Sequence, residues 1–221
     1  MGYDGGMVRS YAQYCAVAKS LDIVGDRWTL LVIRELLDGP QRYNDLLAAL
    51  APIATDMLAG RLRDLESEGL IQRRDLPKPA TGRVYELTDV GRELEDVVHA
   101  YARWGRRLLE SRAPGDVVRP QWLGRAVRAF VRPDRGGVDL TLRLVTPEGT
   151  RTLHIGEHRI DDLDDDAPAD VTLTGDAETL MAAMDPVRAV QLQAQGALSV
   201  DGEPAALRQL SRVFDPARAG T

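Results

Sequence analysis

Apolar residues recur at helical spacing through the first half of the chain. Between Cys15 and Val24 they fall at Val17, Leu21 and Val24; between Trp28 and Leu37 they fall at Trp28, Leu31, Val32 and Leu36, ahead of a Gly39-Pro40 break. Tyr43 to Leu50 sets Leu46, Leu47 and Leu50 on one face and stops before Pro52, which disfavours helix in the residue ahead of it. A fourth helix is predicted from about Thr55, with Leu58, Leu62 and Leu65 on one side and Gly69-Leu70 as a left-handed cap with its hydrophobic contact. Leu70 to Asp75 and Arg83 to Leu87, around a loop holding Pro77, Pro79 and Gly82, predict a β-hairpin with a basic tip. Thr88 can cap a long helix to about Arg112, striped by Leu94, Val97, Val98, Tyr101, Trp104 and Leu108. That stripe reads either as a core face or as a dimer seam.

After the breaker cluster Ala113-Pro114-Gly115-Asp116 the pattern changes. Trp122 to Val131 is helical, Val138 to Val145 alternates with period two, and Thr152 to Ile155 follows across a Pro147-Glu148-Gly149 turn. Val171 to Thr174 and Leu198 to Val200 are further strands. Ala177 to Met184 and Pro186 to Gln195 are short helices, and Ala205 to Phe214 closes the chain. The expectation is a multi-domain protein: a mostly α N-terminal domain over residues 11–112 and an α+β domain over 120–216.

Charge restricts the partners. The net charge is −6, with 16 Lys and Arg against 17 Asp and Glu up to Ala113, then 12 against 17. Non-specific coating of nucleic acid is disfavoured, because phosphate binding needs local cation density. No apolar run approaches the ~20 residues of a membrane span, and a cytoplasmic protein without membrane contact is expected. One cysteine, Cys15, excludes an internal disulfide, and no Cys/His cluster suggests zinc, so no metal or cofactor is expected. His99, His154 and His158 accompany no recognisable nucleophile motif, and no Gly-rich phosphate loop occurs, so an enzyme is not expected. The acidic run Asp161, Asp162, Asp164, Asp165, Asp166 lacks the Gly and terminal Glu of a calcium loop and reads as a solvated turn.

Helix, turn, helix, then a basic hairpin is the winged helix-turn-helix arrangement, in which the second helix of the pair enters the major groove. With the leucines inward, the outer face of the fourth helix carries Asp56, Gly60, Arg63 and Ser67, flanked by Met57, Arg61 and Asp64. Arg63 is the candidate base reader, its fork matching guanine O6 and N7, while Gly60 allows close backbone approach. Arg73, Arg74, Lys78 and Arg83 on the hairpin suit phosphates or the minor groove.

Cys15 to Ala18, Leu21 to Leu36 with its Gly25-Asp26-Arg27-Trp28 centre, Arg42 to Leu46, Leu58 to Leu70, Tyr85 to Leu94 and Trp104-Gly105 together resemble the HxlR-type, MarR-like family of bacterial transcription regulators. The resemblance covers about residues 11 to 112 and implies a homodimer that binds pseudo-palindromic operator DNA. A regulator of double-stranded operator DNA is expected, a repressor ahead of an activator with both open, and Thr55, Asp56, Gly60, Arg61 and Arg63 are its candidate groove residues. Ala16 stands where the family usually has Pro, and Ala54 where Ser is common as a helix cap, so capping is expected to shift to Thr55. Some members use the early cysteine as an oxidation or electrophile sensor, which makes Cys15 a redox candidate, with Lys19 one turn along.

From Leu123 to Phe214 the order of elements, with Ala169 to Asp176, Leu180, Gln195 to Glu203, Leu207 and Phe214, resembles a sterol carrier protein type two-like domain. That resemblance implies a sheet with helices around an apolar tunnel for a lipid-like or aromatic small molecule. Its candidate lining is Phe130, Leu140, Leu142, Leu144, Met181, Met184, Val190, Leu192 and Phe214, residues that would equally fill a solid core. Three functions stay open on the sequence: a regulator whose second domain senses an apolar ligand, a regulator switched through Cys15, and a lipid-binding or interaction protein inactive on DNA.

Overall fold

In the computed structural model, which describes residues 10–109, 113 and 115–214, the chain divides into two compact units, Met1–Val98 and His99–Thr221. The first unit runs α1 (Ala16–Val24), α2 (Thr29–Leu37), α3 (Tyr43–Ala49), α4 (Thr55–Ser67), β1 (Ile71–Asp75), β2 (Arg83–Leu87), α5 (Asp89–Arg92) and α6 (Glu95–Gly105), the last crossing the division. Its core collects Val32, Ile33 and Leu36 of α2, Leu46 of α3, Leu58, Leu62 and Leu65 of α4, Ile71, Leu87 and Val98. Each buried leucine or isoleucine contributes about 1.5–3 kcal/mol over its exposed state.

Two local devices end α4 and set the hairpin. At Gly69, φ is 70°; its N–H donates to the Glu66 carbonyl and that of Leu70 to the Leu65 carbonyl, a Schellman pair whose apolar contact is Leu65 with Leu70, both buried. Strands β1 and β2 pair antiparallel from Ile71↔Leu87 to Asp75↔Arg83. Gln41 exchanges both backbone hydrogen bonds with Tyr85, at 2.9 and 2.8 Å, tying the hairpin to the turn between α2 and α3.

The long helix expected from Thr88 is instead interrupted. Thr88 does cap, accepting from the Gly91 N–H, but α5 ends at Arg92 and α6 starts at Glu95. Gly91 lies so close to the Leu70 carbonyl that a Cβ there would fall 2.0 Å from the oxygen, so α5 is set by the hairpin entry before α6 begins. A 3₁₀ turn, Arg106–Leu108, follows α6; the expected helix end at Arg112 lies outside the described residues.

The second unit adds α7 (Pro120–Phe130), β3 (Leu140–Thr146), β4 (Gly149–Ile155), β5 (Ile160–Leu163), β6 (Val171–Thr174), α8 (Ala177–Ala182), α9 (Pro186–Ala194), β7 (Ser199–Gly202) and α10 (Pro204–Leu210). The sheet order is β5-β4-β3-β6-β7, with β3 and β6 parallel and the other neighbours antiparallel. Leu140, Leu142 and Leu144 alternate inward along β3 and meet Leu153, Ile155, Val171, Leu173 and the apolar side of α7. This is the α+β architecture expected. Strand β5 is a correction to the solvated-turn reading: Asp161 and Asp162 lie in an edge strand, and Asp162 accepts from Arg128 and Arg151 at 2.8 and 2.7 Å. Matching these cations removes the charge penalty that a carboxylate would otherwise bring to a sheet. No helix among the described residues is long and apolar enough to cross a membrane.

Candidate nucleic-acid interface and apolar core

Burial of Leu58, Leu62 and Leu65 turns the opposite face of α4 outward. Thr55, Asp56 and Arg63 are exposed, and a Cβ at Gly60 would meet nothing within 4 Å. The helix is capped by Ala54, not by the side chain of Thr55, which is already the first helical residue. Alanine offers no acceptor, so no side chain occupies the first amides of α4. The hydroxyl of Tyr43 donates to the Thr55 carbonyl at 2.9 Å, fixing the start of α4 against α3.

The six candidate cations are not equivalent. Arg61 is held by Asp64 at 2.8 Å and Asp26 at 3.7 Å. Arg73 forms a two-pronged pair with Glu66 at 2.8 and 2.6 Å, Arg74 meets Glu86 at 3.0 Å, and Arg83 meets Asp75 at 3.0 Å across the hairpin. Bonds from Arg74 and then Gln72 hold the Glu86 carboxyl below its ordinary range, and the bond from Glu66 raises the Arg73 pKa. Among the described residues Arg63 and Lys78 make no ion pair. The basic hairpin is therefore largely neutralised, by its own Asp75 and Glu86 and by Glu66 of α4. The signal was present: Asp75 and Glu86 stand on the same two strands as Arg74 and Arg83. Arg42 was also missed. It donates to the Thr81 carbonyl at 2.9 Å and props the hairpin tip, where Gly82 has a φ of 107°.

Of the proposed seam, Val97, Tyr101, Trp104 and Leu108 are exposed by 37, 56, 57 and 65%; the first three share one face of α6 by their spacing, and Leu108 follows in the 3₁₀ turn. Val98 is corrected to a core residue and Leu94 is partly buried against the same core, because that side of α6 closes the first unit. Arg107 lies 4.3 Å from the centre of the Trp104 ring.

Cys15 is exposed at the N-cap position of α1. No side-chain cap bond forms, yet the amides of Ala18 and then Val17 lower the thiol pKa. Lys19 is directed to Asp22 at 3.8 Å.

In the second unit Phe130, Leu140, Leu142, Leu144, Met184 and Phe214 share one buried cluster, and Met181 and Leu192 pack against it. Val190 does not join them: it is 68% exposed, lying about 200° around α9 from Leu192.

A helix-turn-helix whose second helix turns an uncommitted arginine outward beside a two-stranded wing defines the winged helix-turn-helix class of DNA-binding protein. Residues 23–113 match the HxlR-like helix-turn-helix family, and residues 137–215 match the SCP-2 sterol transfer family. Over 92 residues the chain is 33% identical to the HTH-type transcriptional regulator YvaP of Bacillus subtilis (strain 168), covering 42% of this chain and 85% of that protein. Over 99 residues it is 33% identical to the HTH-type transcriptional regulator YodB of the same organism, covering 45% and 86%. The reduced form of YodB from B. subtilis is a similar solved structure, at 32% identity and a TM-score of 0.39, covering 47% of this chain and all of that one. The chain belongs to the HxlR-like family of transcriptional regulators and carries a second, SCP-2-like unit.

Proposed function

We propose that this protein is a cytoplasmic, homodimeric repressor that binds double-stranded operator DNA through residues 11–112 and is modulated by an apolar small molecule held within residues 120–216. It is not an enzyme. The observation that carries the reading is the outer face of α4, where exposed Arg63 makes no ion pair among the described residues, beside the open surface of Gly60. Arg63 reads a guanine edge in the major groove, with Thr55, Asp56 and Arg61 beside it. Lys78 holds a phosphate directly. Arg73, Arg74 and Arg83 exchange their carboxylates for phosphates, an exchange of small cost because exposed ion pairs are worth only about 0–1 kcal/mol.

Groove readout by two α4 helices needs a dimer that spaces them by about one DNA turn, roughly 34 Å. The stripe Val97, Tyr101, Trp104 and Leu108 supplies the apolar seam. A ligand that favours a differently spaced dimer lowers DNA affinity by the same factor with which DNA lowers ligand affinity. Phe130, Leu140, Leu142, Leu144, Met181, Met184, Leu192 and Phe214 are the residues such a ligand would meet. The test is sedimentation of the full chain with and without Trp104→Glu, followed by anisotropy on DNA from upstream of its gene. A dimer that binds and a variant monomer that does not are expected; a wild-type monomer at micromolar concentration overturns the reading.

A second reading is favoured by the exposed, acidified thiol of Cys15: oxidation or alkylation there switches DNA binding. Peroxide or a quinone then releases the wild-type protein from DNA but leaves Cys15→Ser bound; equal release of both excludes it.

A further inference from the structure

The second unit contains a cation that its own side chains leave half satisfied. Arg106, in the turn directly after α6, is half-buried. Its Nη2 donates to the carbonyls of Met181 and Ala182 at 3.1 and 3.4 Å, at the C-terminal end of α8, and its guanidinium lies 4.9 Å from the centre of the Phe130 ring. The Nη1 atom is buried without a hydrogen-bond partner. Burial lowers the guanidinium pKa; the charge of Asp185 opposes this and Arg188 adds to it. Arginine nevertheless stays protonated.

Other buried arginine atoms of this kind have simpler settings. The Nε atoms of Arg61 and Arg151 also lack partners, but Asp64 and Asp162 lie 2.8 and 2.7 Å from the same guanidinium groups and match their charge. Arg143, bonded to the Ala167 carbonyl, points from the opposite face of the sheet to Leu142 and Leu144. Arg106 alone of these four combines an orphan donor beside Phe130 and Met181, two of the residues proposed to meet an apolar ligand, with no carboxylate at ion-pair distance among the described residues, Asp185 acting on it only from farther away. A buried donor left unpaired costs more when it belongs to a charged group than when it is neutral. Apolar sites fix their ligands by a few such polar groups.

We propose that Arg106 anchors the acidic head group of an elongated apolar ligand, a long-chain carboxylate or a monoanion of similar shape, with Nη1 donating to a ligand oxygen and the chain lying along Phe130 and Met181. The proposal rests on the reading of the second unit as an apolar binding domain, and it adds charge to the ligand class. It also places the head-group contact in the segment that directly follows α6.

The test uses the full-length protein at pH 8 with palmitic acid and methyl palmitate, whose tails are identical, by equilibrium dialysis. The acid is expected to bind about tenfold or more tightly than the ester, the gain typical of a charge-assisted bond. Arg106→Met removes this preference, with an unchanged far-ultraviolet circular dichroism spectrum reporting that the variant is folded; Arg106→Lys keeps part of it. Should Arg106→Met not fold, titration of palmitate labelled at its carboxyl carbon, on wild-type protein, gives the same answer: a bound carboxyl pKa below that of the free acid supports the anchor, and an unshifted or raised one overturns it. Equal binding of acid and ester overturns the anchor while leaving the apolar domain intact, as would happen if a water filled the Nη1 position. A preference that survives in Arg106→Met overturns it too. Binding of neither compound removes both the anchor and the reading beneath it.

Discussion

Helix α4 and the hairpin β1-β2 both present arginines to solvent, yet they hold them differently. On α4 the inward leucines occupy one side, and the outer side carries Arg63, which makes no ion pair among the described residues. On the hairpin, Arg73, Arg74 and Arg83 are each matched to a carboxylate within 3.0 Å, leaving Lys78 at the tip. Counting positive residues along the sequence treats the two regions alike; the pairing separates them. A guanidinium without an ion pair gives up only hydration and side-chain freedom to meet a base edge, whereas a paired one must also give up its partner. The proposed division of labour is base readout by α4 and adjustable backbone contact by the hairpin.

The largest effect is expected where the helix side of this contrast is built. Leu62→Ala removes a fully buried side chain from beneath the exposed face and should cost about 2–5 kcal/mol of stability, read by thermal or urea unfolding. A loss under 1 kcal/mol would mean that α4 is not seated on its leucines. Lys78→Ala comes next: operator and unrelated DNA should both weaken, and the slope of log affinity against log salt should fall by about one. The smallest effect sharpens the contrast from the other side. Glu66→Gln releases Arg73 from its two-pronged pair and should strengthen binding to any DNA by a few-fold at low salt, an effect that fades as salt screens it. Unchanged or weaker binding would show that the pair positions Arg73 rather than restraining it.

Much of this architecture was legible in the sequence. The Leu58, Leu62, Leu65 repeat and the Gly69-Leu70 cap placed α4 and its end, because a helical period and a left-handed residue leave local marks. The break between α5 and α6 left none: apolar spacing runs on through Leu94, Val97 and Val98, and the cause is the close approach of Gly91 to the Leu70 backbone, a contact between distant positions. Strand β5 was hidden for a related reason: its acidic residues give no strand signal, and Arg128 and Arg151, which meet Asp162, come from other elements. At the candidate site the sequence indicated which residues face outward but not which are already engaged. Arg61 and Arg73 lie on the proposed surface; Glu66, the partner of Arg73, comes from another element, while Arg61 meets Asp64 on its own helix and Asp26 from outside it. The nine lining candidates of the second unit follow the same rule, eight meeting at one core and Val190 turning away.

The most direct measurement is a comparison of base preference between wild-type protein and Arg63→Ala on a panel of operators, each carrying one substituted base pair, at two salt concentrations. Base readout by Arg63 predicts a loss of about 1–3 kcal/mol on the best operator, a flattened preference at one position in each half-site, and an unchanged salt slope. A uniform loss across all sequences with a shallower salt slope would make Arg63 a phosphate contact, and no change at all would remove α4 from the groove.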